Sequence, residues 1–408
     1  MNRILAISWC LPPLVAPQSI QMARSLRSLS EKFEVTALCA ELRSTQMRDD
    51  VLAQWYNNSF NRIAVSEEAP RRSLLGRLRR QIQFSEDHWA TRTIERAEQL
   101  HASTPFDVVI SFAQPWVDHL AGLELKRQWD LPWLAHFSDP WVDNSYCANV
   151  DQSIMDKWRE QEKAVIANAD AVIFTSPRTV DLVMRKYPDE WRDRVSVIPH
   201  CFDPSLCEKA KKDAPRSELT MLHTGDFYGQ RDPGGLLQAL NELCHDPQVA
   251  AKLRVVLIGD IPPSFAAIAD APIRAGVLSC EPKQPYSEVM RRTEDADVLL
   301  LVEAPADESV FLPSKLIEYI GFRKPVLALT PTNGTSADLL RRLDQPVVPP
   351  NDPTAIASAI KKMFDDWGDG GLTVSKNYDE VACEFEMDST GRQFAGVVQQ
   401  LLADTSGT

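Results

Sequence analysis

The 408-residue chain sets 44 Lys and Arg against 57 Asp and Glu, a formal net charge of −13, with 44% hydrophobic residues. At ~150 residues per domain this length supports two or three cores, and the apolar content excludes general disorder. The acidic balance excludes a global nucleic-acid binder, and no run approaches the ~20 apolar residues of a membrane span.

The predicted elements start with a strand over Arg3–Ser8. Met1–Trp9 carries one Arg and a short apolar run, which suits a strand better than a secretory signal. A helix over Ser19–Ser30 follows, then strands at Phe33–Leu38, Asp107–Ser111 and Trp133–Phe137. The helix Asp151–Asn168 leads to strands at Ala171–Thr175 and Val195–Pro199. After residue 215 come strands at Leu219–Thr224, Arg254–Ile258, Val298–Val302, Pro325–Leu329 and Pro346–Val348, with helices at Gly235–Leu243 and Pro353–Trp367. Such alternation predicts parallel sheets covered on both faces, and about eleven strands exceed one comfortable sheet. The expected fold class is therefore α/β with two doubly wound domains. The polar run Glu208–Pro215, closed by Pro, marks a boundary near Asp203–Pro215.

Eight scattered cysteines form no Cys-x-x-Cys pair, which suits reduced thiols in a cytoplasm and no zinc site. Of 16 glycines, 14 follow residue 220, so backbone contact with phosphate is expected in the second half. Nine of ten tryptophans precede residue 200, where core packing is the plainer reading and sugar stacking the alternative.

Four stretches carry candidate chemistry. In Leu222–Pro233, Gly225 ends a strand and Arg231 stands near the mouth of a helix opened by Pro233, able to offer a planar fork to a diphosphate. In Glu308–Gly321, Ser314 reads as the N-cap of a helix whose first turn holds Lys315. A cation there opposes the helix dipole unless an anion occupies the end, and Glu318, one turn on, suits a ribose diol. In Leu131–Trp141, His136 and Asp139 sit at a strand end as candidate acid/base or acceptor-orienting groups. Arg71–Arg80 holds five Arg and no acid, with Leu74, Leu75 and Leu78 at helical spacing. It is a candidate contact for an anionic membrane surface, or else a solvated helix paired with acids elsewhere. Asp295-Ala296-Asp297 matches a metal-diphosphate pattern but directly precedes an apolar run, which makes Asp297 a strand entrance, as Asn168-Ala169-Asp170 is before Ala171.

At these residues the chain resembles the GT-B-fold glycosyltransferases, specifically the retaining family 4, over nearly its whole length. Pro12-Pro13 with Arg24-Ser25-Leu26, Trp133–Trp141, Asn168–Ser176 and Val197–Asp203 are similar to landmarks of the family's first half. Gly225 with Arg231-Asp232-Pro233, and Leu312–Gly321 followed by Lys324–Ala328, are similar to its donor half. The resemblance implies two Rossmann-like domains facing each other across a cleft. Residues 1–205 would bind the acceptor, residues 206–385 the donor, and 386–408 would form a helix packing back on the first domain. It implies transfer of a sugar from a nucleotide-diphospho-sugar to a carbohydrate or lipid-linked acceptor, without a metal or other cofactor, in surface polysaccharide or glycolipid assembly. The expected place is the cytoplasm, at the inner face of a membrane if Arg71–Arg80 binds one.

Gly225, Arg231, Glu308, Ser314, Lys315 and Glu318 would hold the donor, with Glu318 the second acid of a Glu-x7-Glu motif. The first acid position is Val310, and Glu308 stands two residues before it. Position 138 is Ser where the family carries Arg, and Leu14–Ser19 lacks the usual glycines. His136 or Asp139 stands nearest the family's N-terminal catalytic His. These departures keep two alternatives open: a catalytically silent GT-B subunit that binds a partner transferase, and a sugar-nucleotide epimerase.

Overall fold

The computed structural model describes all residues except 44–45, 57, 67–85, 148, 208–216 and 407–408. The basic stretch Arg71–Arg80 and the polar run Glu208–Pro215 lie outside the described residues. The chain divides into two compact units, one of residues 1–199 with 390–408 and one of residues 200–389.

The first unit is built on a seven-stranded parallel sheet: β1 (Arg3–Ile7), β2 (Glu34–Ala40), β3 (Asn61–Val65), β4 (Val108–Ala113), β5 (Trp133–Phe137), β6 (Ala171–Phe174) and β7 (Val195–Val197). Its spatial order is β3-β2-β1-β4-β5-β6-β7. The inner strands read as continuous apolar runs because helices cover both faces. Leu5, Ile7, Trp133, Ala135 and Phe137 face one core. Ile4, Ala6, Ile110, Phe112 and Leu134 face another, which the C-terminal helix Met387–Ser406 completes with Phe394, Val398 and Leu401. The tryptophans mostly serve packing: Trp89, Trp133 and Trp141 are fully buried, and Trp141 stacks on Trp116 at 5.1 Å.

The second unit has a six-stranded parallel sheet: β8 (Leu219–Thr224), β9 (Leu253–Ile258), β10 (Leu278–Glu281), β11 (Val298–Val302), β12 (Val326–Leu329) and β13 (Val347–Val348). The order is β10-β9-β8-β11-β12-β13. Two short edge strands, β3 and β10, are additions to the strands expected from sequence. Strand entrances are tied by carboxylates: Asp170 accepts from Trp133 N at 2.7 Å, and Asp297 accepts from Thr220 N at 2.9 Å. Asp297 thus has the structural role its position suggested. All eight cysteines are free thiols. Among the described residues no helix is long and apolar enough to cross a membrane.

Both sheets reverse direction once, between β1 and β4 and between β8 and β11. In open α/β sheets the carboxyl ends of the strands beside such a reversal are where ligands bind. Gly225 and Lys315 come together at the second of these places.

Candidate functional site

At the β8/β11 reversal the chain leaves β8 through Gly225, whose φ of 115° lies in the region that side chains disfavour. Its amide donates to Ile258 O at 2.7 Å, which draws the turn against β9. Gly259 answers from the end of β9 with φ 140°, and a Cβ there would stand 2.4 Å from Gly225 O. Gly259→Ala is therefore expected to cost about 2 kcal/mol or more and to displace the Gly225 turn, measured by thermal denaturation.

Over this turn lies Lys315. A Cβ on Gly225 would meet Lys315 Nζ at 2.6 Å, so glycine makes room for the ammonium group. The helix Ser314–Gly321 that carries Lys315 is anchored by Tyr319, whose hydroxyl lies 3.2 Å from both the amide and Oγ1 of Thr224 at the end of β8. Burial first, and then the neighbouring Arg231 guanidinium, push the Lys315 ammonium down to about 7, against the pull of Asp226 and Glu303. Arg231 itself sits in the tight loop after Gly229, its amide bonded to Tyr228 O at 3.0 Å and its guanidinium 5.1 Å from the Tyr228 ring.

Two expectations about helix ends need correction. Ser314 is the first helical residue and not the cap; Pro313, with φ −60° and ψ 126°, occupies the cap position, and no side chain caps that end. Pro233 is likewise the cap and not the first helical residue, and Asp232 Oδ1 accepts from Gly234 N at 2.8 Å. In each case proline's fixed φ and extended or bridging ψ end the preceding loop and delay the helix by one residue.

Sequence reasoning passed over Glu303 and His223. Glu303 directly follows β11, is buried, and accepts from the hydroxyls of Ser336 and Ser309. Burial raises its carboxyl, while Ser336 and the Arg231 charge hold it back. The only sequence signal was a lone acid ending the run Val298–Val302. Glu308 is exposed, and Glu318 is half-buried on the same helix as Lys315. At Val310, the motif's missing acid, the backbone carbonyl accepts from Thr335 Oγ1 at 2.8 Å. Beside Gly259 opens a concave region of about 520 Å³ whose walls include Phe227, Ile261, Pro262, Cys280 and Pro282. Lys283 braces its rim by bridging Asp226 and Asp260 at 2.9 and 3.0 Å.

In the first unit, at the β1/β4 reversal, Gln18 links two strand ends: its Nε2 donates to Ala113 O at 2.6 Å, and its Oε1 accepts from Ser138 Oγ at 2.9 Å. Asp139 follows, part-exposed, with Gln114 Nε2 3.5 Å from its Oδ2. His136 is placed differently. It is buried in β5 with its ring parallel to Phe394 at 6.0 Å and tilted on Phe112 at 5.3 Å. Strand alternation sends His136 to the face that the C-terminal helix covers, whereas Asp139 lies in the loop beyond. Asp118, fully buried, fixes the end of β1 by accepting from Trp9 N at 2.7 Å and from Trp89 Nε1 at 2.6 Å. Among the described residues no group of three or more His, Cys, Asp or Glu comes together as a metal site.

Residues 21–206 match Glycosyltransferase Family 4. The whole chain superposes on solved structures of two-sheet architecture. A sucrose-phosphate synthase from Thermosynechococcus elongatus has TM-score 0.73 and 16% identity, over 99% of this chain and 100% of that one. The chain has the two-unit GT-B fold. A glycosyltransferase from Rickettsia africae gives 0.65 at 14% identity, over 98% of each chain. A UDP-N-acetylglucosamine 2-epimerase gives 0.62 at 11% identity, over 100% of this chain and 97% of that one. A search of curated protein sequences returned no match. In this fold the two strand reversals fall one in each Rossmann-like unit, at the kind of edge where open α/β sheets bind ligands.

Proposed function

We propose that this chain is a glycosyltransferase that takes a sugar from a nucleotide-diphospho-sugar and passes it to an acceptor hydroxyl. The observation that carries this reading is the pair of cations at the β8/β11 edge, Lys315 over Gly225 with Arg231 beside it. A diphosphate placed there meets an ammonium, a guanidinium fork and the start of a helix that no side chain caps. As the glycosidic bond breaks, the electron pair goes to the diphosphate, and these cations stabilise the charge that develops. They supply that role from the chain itself, which supports metal-independent transfer.

The region beside Gly259, lined by Phe227, Ile261 and Pro262 together with Asp260 and Glu281, is of a size to take the base, and Glu318 suits the ribose. Asp139, part-exposed at the first unit's strand edge, suits the task of orienting the acceptor hydroxyl better than His136, which is covered by Phe394. Hexosyl transfer with retention, for surface polysaccharide or glycolipid assembly, belongs to the same proposal and is supported by the family resemblance.

Melting the protein with UDP, GDP, ADP, CMP and dTDP, with and without EDTA, tests it. Ligand at ~100 times its dissociation constant adds about 2.7 kcal/mol, roughly 5–10 °C for a unit of this size. One diphosphate should shift the midpoint regardless of EDTA. No shift with any of them would favour the silent partner subunit. Conversion of a nucleotide sugar without release of free diphosphate would favour the epimerase, the activity of one structural relative. Asp139→Asn is expected to lower turnover about 10²-fold with donor affinity nearly unchanged, and an unchanged rate would remove Asp139 from the site.

A further inference from the structure

His223 lies within β8, fully buried, where an imidazole is costly unless its nitrogens are partnered. Nδ1 is 3.0 Å from Leu300 O on β11. A carbonyl only accepts, so Nδ1 carries the proton and Nε2 presents its lone pair. Nε2 stands 3.4 Å from Lys315 Nζ, a group that only donates. The ring face is clamped on Phe227, with centroids 4.6 Å apart and planes 24° from parallel.

We infer that His223 is a positioning residue for Lys315: a neutral imidazole, locked in one tautomer by Leu300, that accepts from the ammonium and holds it over Gly225. This inference rests on the reading of that place as the diphosphate site. The chemistry of the partner matters. A carboxylate in the same position would hold Lys315 equally well but cancel its charge, whereas a neutral acceptor leaves the cation whole for an anionic ligand. Glu303, the nearby carboxylate, is instead satisfied by Ser336 and Ser309. The charged groups around Lys315 are Arg231, Asp226 and Glu303. Burial, followed by the Lys315 charge, holds His223 well below the ordinary imidazole range, against the carbonyls of Leu300 and Gly225.

The first test needs no ligand. Long-range ¹H–¹⁵N spectra of the wild-type protein should show His223 protonated at Nδ1 and bare at Nε2; protonation at Nε2 overturns the inference. The second uses His223→Phe, which keeps the stack on Phe227 but lacks the acceptor, and His223→Gln, whose Oε1 takes the place of Nε2. With inorganic pyrophosphate as probe, His223→Phe should bind about tenfold more weakly near neutral pH, the effect of one hydrogen bond to a charged group. Losing the acceptor destabilises the ammonium form, so binding should also fall away at lower pH than in the wild type. His223→Gln should recover most of the affinity. Equal affinity and an unchanged pH profile in His223→Phe would overturn the inference, and if that variant does not fold, the tautomer and His223→Gln still decide it. Failure of the wild type to bind either nucleoside diphosphate or pyrophosphate would instead sink the donor reading, leaving the His223–Lys315 pair to be judged on the spectra.

Discussion

Replacing Lys315 by Met is expected to lower kcat/KM for transfer by about 10²–10³-fold, the loss that follows removal of one preorganised group opposite a developing negative charge. Met keeps the stem's bulk, so the melting point of the ligand-free protein should change little. The same lysine gives the wild type a pH signature. Burial and Arg231 bring its ammonium down to about 7. In the free enzyme it is charged below that pH and loses its proton above it, so kcat/KM should fall as pH rises through neutrality. A bound diphosphate stabilises the ammonium, so kcat at saturating donor should hold up to a more alkaline pH. Lys315→Met should lack the alkaline fall near 7. A variant with wild-type kcat/KM would remove Lys315 from the donor site.

Glu162→Ala should cost about 3 kcal/mol of stability in the first unit while leaving nucleoside diphosphate affinity unaltered. Glu162 is fully buried and accepts from Lys186 Nζ at 2.6 Å, Tyr187 Oη at 2.7 Å and Val142 N at 2.9 Å. Truncation strands the Tyr187 hydroxyl and the Val142 amide and takes one of two carboxylate partners from Lys186. The cost stays at the lower end of the ~3–5 kcal/mol typical of a broken buried pair, because the Lys186 side chain keeps 28% exposure and its bond to Asp143. Val142 lies three residues beyond Asp139, so the loop carrying Asp139 loses its brace, and acceptor KM should rise. The residues proposed to hold the donor belong to the other unit, residues 200–389, and should bind as before. Differential scanning calorimetry and titration with nucleoside diphosphate measure the two effects separately. Weakened diphosphate binding would show that the units do not divide the work in this way.

The buried inner strands were legible because parallel strands covered on both faces are written as apolar runs; Trp133–Phe137, Leu219–Thr224 and Val298–Val302 have the bounds that pattern suggested. Of the four edge strands, Val195–Val197 and Val347–Val348 were legible but the other two were not. Asn61–Val65 and Leu278–Glu281 expose polar residues along much of their length, so no apolar run announces them. Lys315 and Arg231 stood out as cations beside helix starts, but the fact that brings them together, the reversal of strand order between β8 and β11, is a matter of topology. His223 was hidden by its apolar neighbours, and its partners Leu300 and Lys315 lie 77 and 92 residues away. For His136, strand alternation reveals which face it takes but not what covers that face. The cover is Phe394, supplied more than 250 residues later.

The return of residues 390–408 to the first unit means the chain passes between units twice, after residue 199 and again after residue 389. In genetic terms the second unit is an uninterrupted cassette, whereas the first is a split gene product. Residues 200–389 can be cloned as one piece. A fragment ending at residue 199 would lack Phe394, Val398 and Leu401 and leave the hydrophobic face around Ile110 and Phe112 uncovered, inviting aggregation. Exchanging the second unit between relatives by recombination therefore calls for two crossover points, and a premature stop early in the C-terminal helix strikes the unit that the ribosome made first.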